Sequence, residues 1–189
     1  GALQTIEQCD VVYGDGGLVT TNDEKLRDQL LALRNYGSTV KYHHPLLGFN
    51  SRLDTLQAAV LLAKLPKLDE YNQRRQKAAA HYNEHLAGVG DLVLPTVPTD
   101  GSHVFHLYVI QTAKRDALLA HLNKHGVGAG IHYPTPIHLQ GAYKNLGHKK
   151  GDFPVAEKLA GSILSLPLYP EMTAAQSGYV AGKVAEFFG

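Results

Sequence analysis

Residues 48–59 read Gly48-Phe49-Asn50-Ser51-Arg52-Leu53-Asp54-Thr55-Leu56-Gln57-Ala58-Ala59, a loop that delivers an asparagine and then starts a helix. Ser51 suits an N-cap, and Asp54 three residues on offers the acceptor of a capping box. Leu53, Leu56, Val60 and Ala63 follow at helical spacing. The pattern predicts a rigid helix that begins at Ser51 and holds Asn50 just ahead of its cap.

The rest of the chain supplies alternating elements. Val11 to Thr21 has two short apolar runs around Gly14-Asp15-Gly16-Gly17, the signal of a hairpin turn. Thr21 with Glu24 predicts a capping box, and Leu26, Leu30 and Leu33 form the stripe of a helix that Gly37 ends. The helix from Ser51 meets Pro66, which kinks or restarts it, and continues through Leu68, Tyr71, Ala78, Ala79, Tyr82 and Leu86. Beyond Gly90 the pattern alternates. A short extended run is expected at 92–95, strands at 104–112, 129–132 and 163–166, and helices at 117–125, 155–162 and after Thr173, whose Gln176 completes a capping box. This predicts an α/β fold: a small sheet covered by helices, preceded by a long kinked helix. Gly126-Val127-Gly128-Ala129-Gly130 follows a helix and precedes a strand, the wrong order for a dinucleotide loop, so it reads as a helix stop and turn.

The run at 48–59 resembles the G-[FY]-N-[ST]-R-[LM]-[DS]-x-[LI]-Q-A-A motif of the DegT/DnrJ/StrS sugar aminotransferases, which use pyridoxal phosphate. Gly14-Asp15-Gly16-Gly17, Leu33-Arg34-Asn35-Tyr36-Gly37, Leu65-Pro66-Lys67-Leu68-Asp69, Phe105-His106-Leu107-Tyr108, the stretch 131–140 and Leu164-Ser165-Leu166-Pro167 resemble further family segments in the same order. The likeness runs from about Tyr13 to the C-terminus. It implies an aminotransferase small (C-terminal) domain at 91–189, connecting helices at 51–90, and at 1–50 a remnant of the large cofactor-binding domain. Residues 1–12 are of unclear origin in this scheme.

The resemblance also implies roles. Asn50 would reach the pyridoxal phosphate of a neighbouring subunit at its phosphate. His132, Tyr133 and His138 would lie near the entrance for a sugar nucleotide. The family's catalytic lysine would fall six residues before Gly14, where this chain has Gln8. A carboxamide nitrogen is not a nucleophilic amine, so no residue here is expected to be catalytic. The N-terminal half of the family's large domain, which supplies the ring-stacking aromatic and the acid for the pyridine nitrogen, has no counterpart in these residues.

Composition excludes other classes. The 189 residues are 44% hydrophobic and 19% charged with a net charge of +1, which gives no electrostatic basis for nucleic-acid or membrane binding. The single cysteine, Cys9, forms no intramolecular disulfide and suits a reducing cytoplasm. The His132–His138 spacing fits no standard zinc pattern, so no metal is expected there. His43 and His44 read as a solvated pair, and Arg34, Arg52, Arg74 and Arg75 as surface charges. Tyr71, Tyr82, Phe187 and Phe188 read as core or interface.

The expectation is therefore the C-terminal part of a nucleotide-sugar aminotransferase, inactive alone and binding no pyridoxal phosphate by itself. It is expected as a homodimer or beside a longer aminotransferase subunit. The alternatives are a non-catalytic dimerisation or partner-subunit module, or an enzyme that uses pyridoxamine phosphate without a lysine.

Overall fold

The computed structural model describes residues 16–189. The turn expected at Gly14-Asp15 and the position of Gln8 lie outside the described residues, and residues 16–20 carry no strand. The chain divides into two compact units, Gly1–Leu68 and Asp69–Gly189. The division falls inside the 51–90 stretch read as connecting helices.

In the first unit, helix α1 (Glu24–Arg34) is capped by Asp23, whose carboxylate accepts the Lys25 N–H at 2.9 Å and the Leu26 N–H at 3.1 Å. This corrects the Thr21–Glu24 capping box. Thr21 Oγ1 instead accepts the Asp23 N–H at 3.1 Å and so orients the cap. A carboxylate is the stronger acceptor at the positive end of a helix. Gly37 (φ +73°) closes α1 through its N–H to Ala32 O at 2.9 Å.

The chain then loops out and returns antiparallel to the end of α1. Phe49 N–H reaches Leu33 O at 2.7 Å, Tyr36 N–H reaches Phe49 O at 2.9 Å, and Ser51 N–H reaches Arg34 O at 3.0 Å. Ser51 is thus tied to the end of α1, and it is not the cap of the helix that follows. Helix α2 (Thr55–Lys64) starts later, at N-cap Asp54, with Gln57 Oε1 accepting the Asp54 N–H at 3.3 Å. It buries none of its own residues, and a 3-10 turn carrying Pro66 follows it.

The second unit opens with α3 (Leu68–Leu86). Its Ala78, Ala79, Tyr82 and Leu86 face the core. Strand β1 (Tyr108–Gln111) pairs antiparallel with β2 (Ile163–Leu166), in register from Tyr108 opposite Leu166 to Gln111 opposite Ile163. Val93 bridges the outer side of β1 at Gln111, and Gly130 bridges the outer side of β2 at Ser165. The expected strand at 129–132 is thus a single bridge, and the extended run at 92–95 also pairs through one bridge.

The expected strand at 104–112 shrinks to four residues. Phe105 takes φ +49° and gives its N–H to His103 Nδ1 at 2.7 Å instead of to a sheet neighbour. Helices α4 (Arg115–Lys124), α5 (Pro154–Ser162) and α6 (Ala174–Phe188) stand where the periodicity places them. Thr173 and Gln176 form the expected box on α6, with the Gln176 N–H to Thr173 Oγ1 at 3.2 Å and the Thr173 N–H to Gln176 Oε1 at 2.9 Å.

Tyr82, Leu86, Tyr108, Ile110, Leu118, Leu122, Leu164 and Val184 are fully buried and join α3, the sheet, α4 and α6 into one core. Phe187 and Phe188 pack half-buried against it, as their spacing implied. The two core tyrosines keep hydrogen-bond partners: Tyr82 donates to Pro167 O at 2.8 Å and Tyr108 to Asn83 Oδ1 at 2.6 Å. Burial pushes both phenols well above their ordinary range.

Candidate functional site

Two places carry the residues singled out in the sequence, one in each unit. Asn50 sits on the returning segment of the first unit, bridged to Asn35 at the end of α1. Its backbone is fixed by the bonds of Phe49 and Ser51 on either side. Its side chain is exposed and makes no hydrogen bond among the described residues. A carboxamide so placed has two N–H donors available for an anion. In the loop before it, Ser38 Oγ donates to Val40 O at 2.7 Å and His44 Nδ1 lies 3.0 Å from Tyr36 O. His43 and His44 are both exposed, as expected.

The second unit carries the stretch 131–140. His132 Nδ1 lies 2.9 Å from Ser165 Oγ on β2, so this imidazole is tethered to the sheet. Tyr133 is 69% exposed, and its hydroxyl makes no hydrogen bond among the described residues. The His138 side chain is 8% exposed. Its Nε2 stands 3.0 Å from Glu157 Oε1, and its ring lies 4.7 Å from that of Phe153. Of the three residues, His132 and Tyr133 are exposed and His138 is the one turned inward. His132 is tied to β2 through Ser165, and His138 to α5 through Glu157.

Glu157 is the residue that sequence reading missed. It lies in the first turn of α5, behind Pro154, where a carboxylate complements the helix dipole. It accepts the Gly151 N–H at 2.7 Å and the Phe153 N–H at 3.4 Å as well as bonding His138. These bonds, led by the one from Gly151, hold its carboxyl below the ordinary range.

Between the 131–140 stretch and α5 opens a pocket of about 680 Å³. Tyr133, Ile137, Tyr143, Leu146 and Phe153 give it apolar walls, with His138, His148 and Gln140 as its polar points. An apolar cleft with a few polar groups suits a small organic ligand. Among the sequence's arginines, Arg75 departs from the expected surface role. It is buried on α3 and donates to Leu168 O at 3.3 Å.

Each unit carries residues of the motifs singled out in the sequence, Asn50 in the first and the 131–140 stretch in the second. The chain belongs to the DegT/DnrJ/EryC1/StrS aminotransferase family, whose model matches residues 9–185. It is 47% identical over 178 residues to a pleiotropic regulatory protein of Geobacillus stearothermophilus, covering 93% of this chain and 48% of that protein. It is 46% identical over 169 residues to a UDP-N-acetyl-3-dehydro-alpha-D-glucosamine 3-aminotransferase of Acidithiobacillus ferrooxidans, covering 89% of this chain and 45% of that one.

The crystal structure of Streptomyces venezuelae DesV in complex with a ketimine intermediate superposes with a TM-score of 0.89 at 43% identity, covering 93% of this chain and 47% of DesV. NtdA of Bacillus subtilis, solved with bound cofactor PMP, superposes with a TM-score of 0.84 at 29% identity, covering 94% of this chain and 42% of NtdA. The chain spans about half the length of the curated relatives it matches.

The family implies pyridoxal phosphate. The described residues fit one end of it. Asn50 offers uncommitted donors suited to the phosphate. The family model matches from residue 9 onward, so position 8, where the sequence reading set the lysine and the chain has Gln8, lies outside the match.

Proposed function

We propose that this chain forms part of an aminotransferase acting on nucleotide-linked keto-sugars, and that by itself it transfers no amino group. In this reading Asn50 donates its carboxamide N–H groups to the phosphate of a pyridoxal phosphate held by a second subunit that carries its own lysine. When bound, the cofactor supplies the electron sink for amino-group transfer. Tyr133 and the pocket between the 131–140 stretch and α5 receive part of the sugar nucleotide, with His132 and His138 holding the loop in shape. The setting is cytoplasmic, where nucleotide sugars are made.

The observation that carries the reading is the state of Asn50. Its backbone is locked by hydrogen bonds on both sides while its side chain is left without a partner among the described residues. A purely structural asparagine in a tight loop turns its amide back onto the backbone. The test mixes this chain with a longer subunit of the family whose own equivalent asparagine has been replaced. Activity restored by the wild-type chain but not by Asn50→Ala supports the reading. Equal restoration by both contradicts it.

A second reading, a non-catalytic dimerisation or partner-subunit module, is favoured by the apolar surface of the first unit. Leu47 is 98% exposed, Leu56 79%, Leu62 75% and Phe49 72%. Clustered exposure of large apolar side chains marks an interface. Sedimentation of the chain alone tests this second reading, and a strictly monomeric chain counts against it. A stable dimer without any longer partner favours the module.

A further inference from the structure

In the second unit, away from the 131–140 loop, α4 and α6 bring three metal-ligating side chains together. His121 and His125 stand one turn apart at the C-terminal end of α4, with ring centroids 4.4 Å apart. Glu186 comes from the last turn of α6. One ligand atom from each lies within 4.8 Å of the other two.

Hydrogen bonds to backbone fix both imidazoles. His125 Nδ1 lies 2.8 Å from His121 O, and His121 Nε2 lies 3.0 Å from Lys183 O. A carbonyl only accepts, so each of those nitrogens carries the ring proton, and the other nitrogen of each neutral ring keeps its lone pair. An imidazole whose far N–H is pinned to a carbonyl is the arrangement found behind metal-bound histidines.

On His125 the lone-pair nitrogen is Nε2, and it faces Glu186 Oε1 at 3.7 Å. Two acceptors in that position repel each other unless a proton or a cation lies between them. Lys183 Nζ holds the other oxygen, Glu186 Oε2, at 2.6 Å, leaving Oε1 on the side of His125. The last-turn carbonyls of α4, which His125 caps, add the negative end of a helix dipole.

We propose that His121, His125 and Glu186 form a binding site for one divalent transition cation of the Zn²⁺ type, with water as the fourth ligand. Two imidazoles and one carboxylate are a donor set that zinc accepts in tetrahedral geometry and that magnesium, which prefers oxygen, does not. Metal–ligand bonds of about 2.0–2.2 Å require the three atoms to draw closer together. The half-exposed Glu186 side chain supplies that movement. The bound ion joins the end of α4 to the end of α6. The site is separate from the reading of Asn50 and stands or falls without it.

The test uses the full chain, stripped with a chelator and titrated with Zn²⁺ by calorimetry, and with Co²⁺ by visible absorption. The expected result is one equivalent of Zn²⁺, a tetrahedral Co²⁺ spectrum, a higher melting temperature with Zn²⁺, and no effect of Mg²⁺. His125→Ala weakens Zn²⁺ binding by more than ~10–100-fold, the range already reached when an outer-shell partner is lost. Glu186→Gln, which keeps size and fold, does likewise. His148→Ala on the 131–140 side leaves binding unchanged. Absent or non-saturating binding overturns the site, as does binding that survives both His125→Ala and Glu186→Gln or is lost in His148→Ala.

Discussion

Gly37 and Gly48 press backbone against backbone: a Cβ built on Gly48 would stand 1.9 Å from Gly37 N. A Cβ on Gly37 would stand 1.8 Å from Leu46 O, and Gly37 already takes φ +73°. No side chain fits between these two segments, and their closeness puts Asn50 beside the end of α1. Gly37→Ala or Gly48→Ala therefore releases the loop at 38–51. The left-handed backbone alone costs a non-glycine residue about 1–3 kcal/mol. Hydrogen exchange should rise at Phe49 and Ser51 in either variant and stay unchanged in the sheet of the second unit. Unchanged protection at Phe49 contradicts this account of the loop.

Asn50→Ala has the opposite profile. The side chain is exposed and contributes no hydrogen bond among the described residues, so stability should change by no more than about 0.5 kcal/mol. Thermal melting checks this. A large loss of stability would reveal a structural duty for Asn50 and remove the reason for assigning it a phosphate.

How much of this was legible depends on the range of the interaction. The cap on α6 was readable because Thr173 and Gln176 bond each other three residues apart. Ser51 is not the cap of α2, which starts at Asp54, and the tie of its N–H to Arg34 O, seventeen positions earlier in the chain, leaves no mark in the local spacing. The 104–112 strand lost its first half to a local bond between Phe105 and His103 that β-propensity does not register. His138 was identified, yet its partner Glu157 lies nineteen residues on, across a loop of 3-10 turns. His121 and His125 carry a helical i, i+4 spacing that was present to be read, but Glu186 joins them only through the packing of α6 on α4.

Glu157 should make the second unit acid-sensitive. Its carboxyl, ordinarily near 4.5, is held lower in the folded protein, chiefly by the Gly151 N–H. A group whose folded value is depressed stabilises the fold above its unfolded value and loses that contribution as pH falls through the folded value. The melting temperature of wild type should therefore exceed that of Glu157→Gln at neutral pH. The gap should close as pH drops below 4.5 toward the folded value. A gap that is constant with pH contradicts the role given to the carboxylate.

The core makes two graded predictions. Tyr82→Phe removes the donor to Pro167 O and leaves that carbonyl without its bond, at a cost of about 1–3 kcal/mol. Leu122→Ala opens a cavity between α4 and α6 and should cost about 2–5 kcal/mol. Urea unfolding measures both. Equal costs would mean that the hydroxyl matters as much as the packing.

The central claim is that this chain lends a phosphate contact through Asn50 but holds no cofactor of its own. The direct measurement is a pyridoxal phosphate titration of the isolated chain followed by absorbance, then borohydride reduction and peptide mapping. The account predicts no saturable absorbance change and no single labelled lysine. A saturable change that reduces onto one specific lysine would contradict it and restore the chain as an enzyme in its own right.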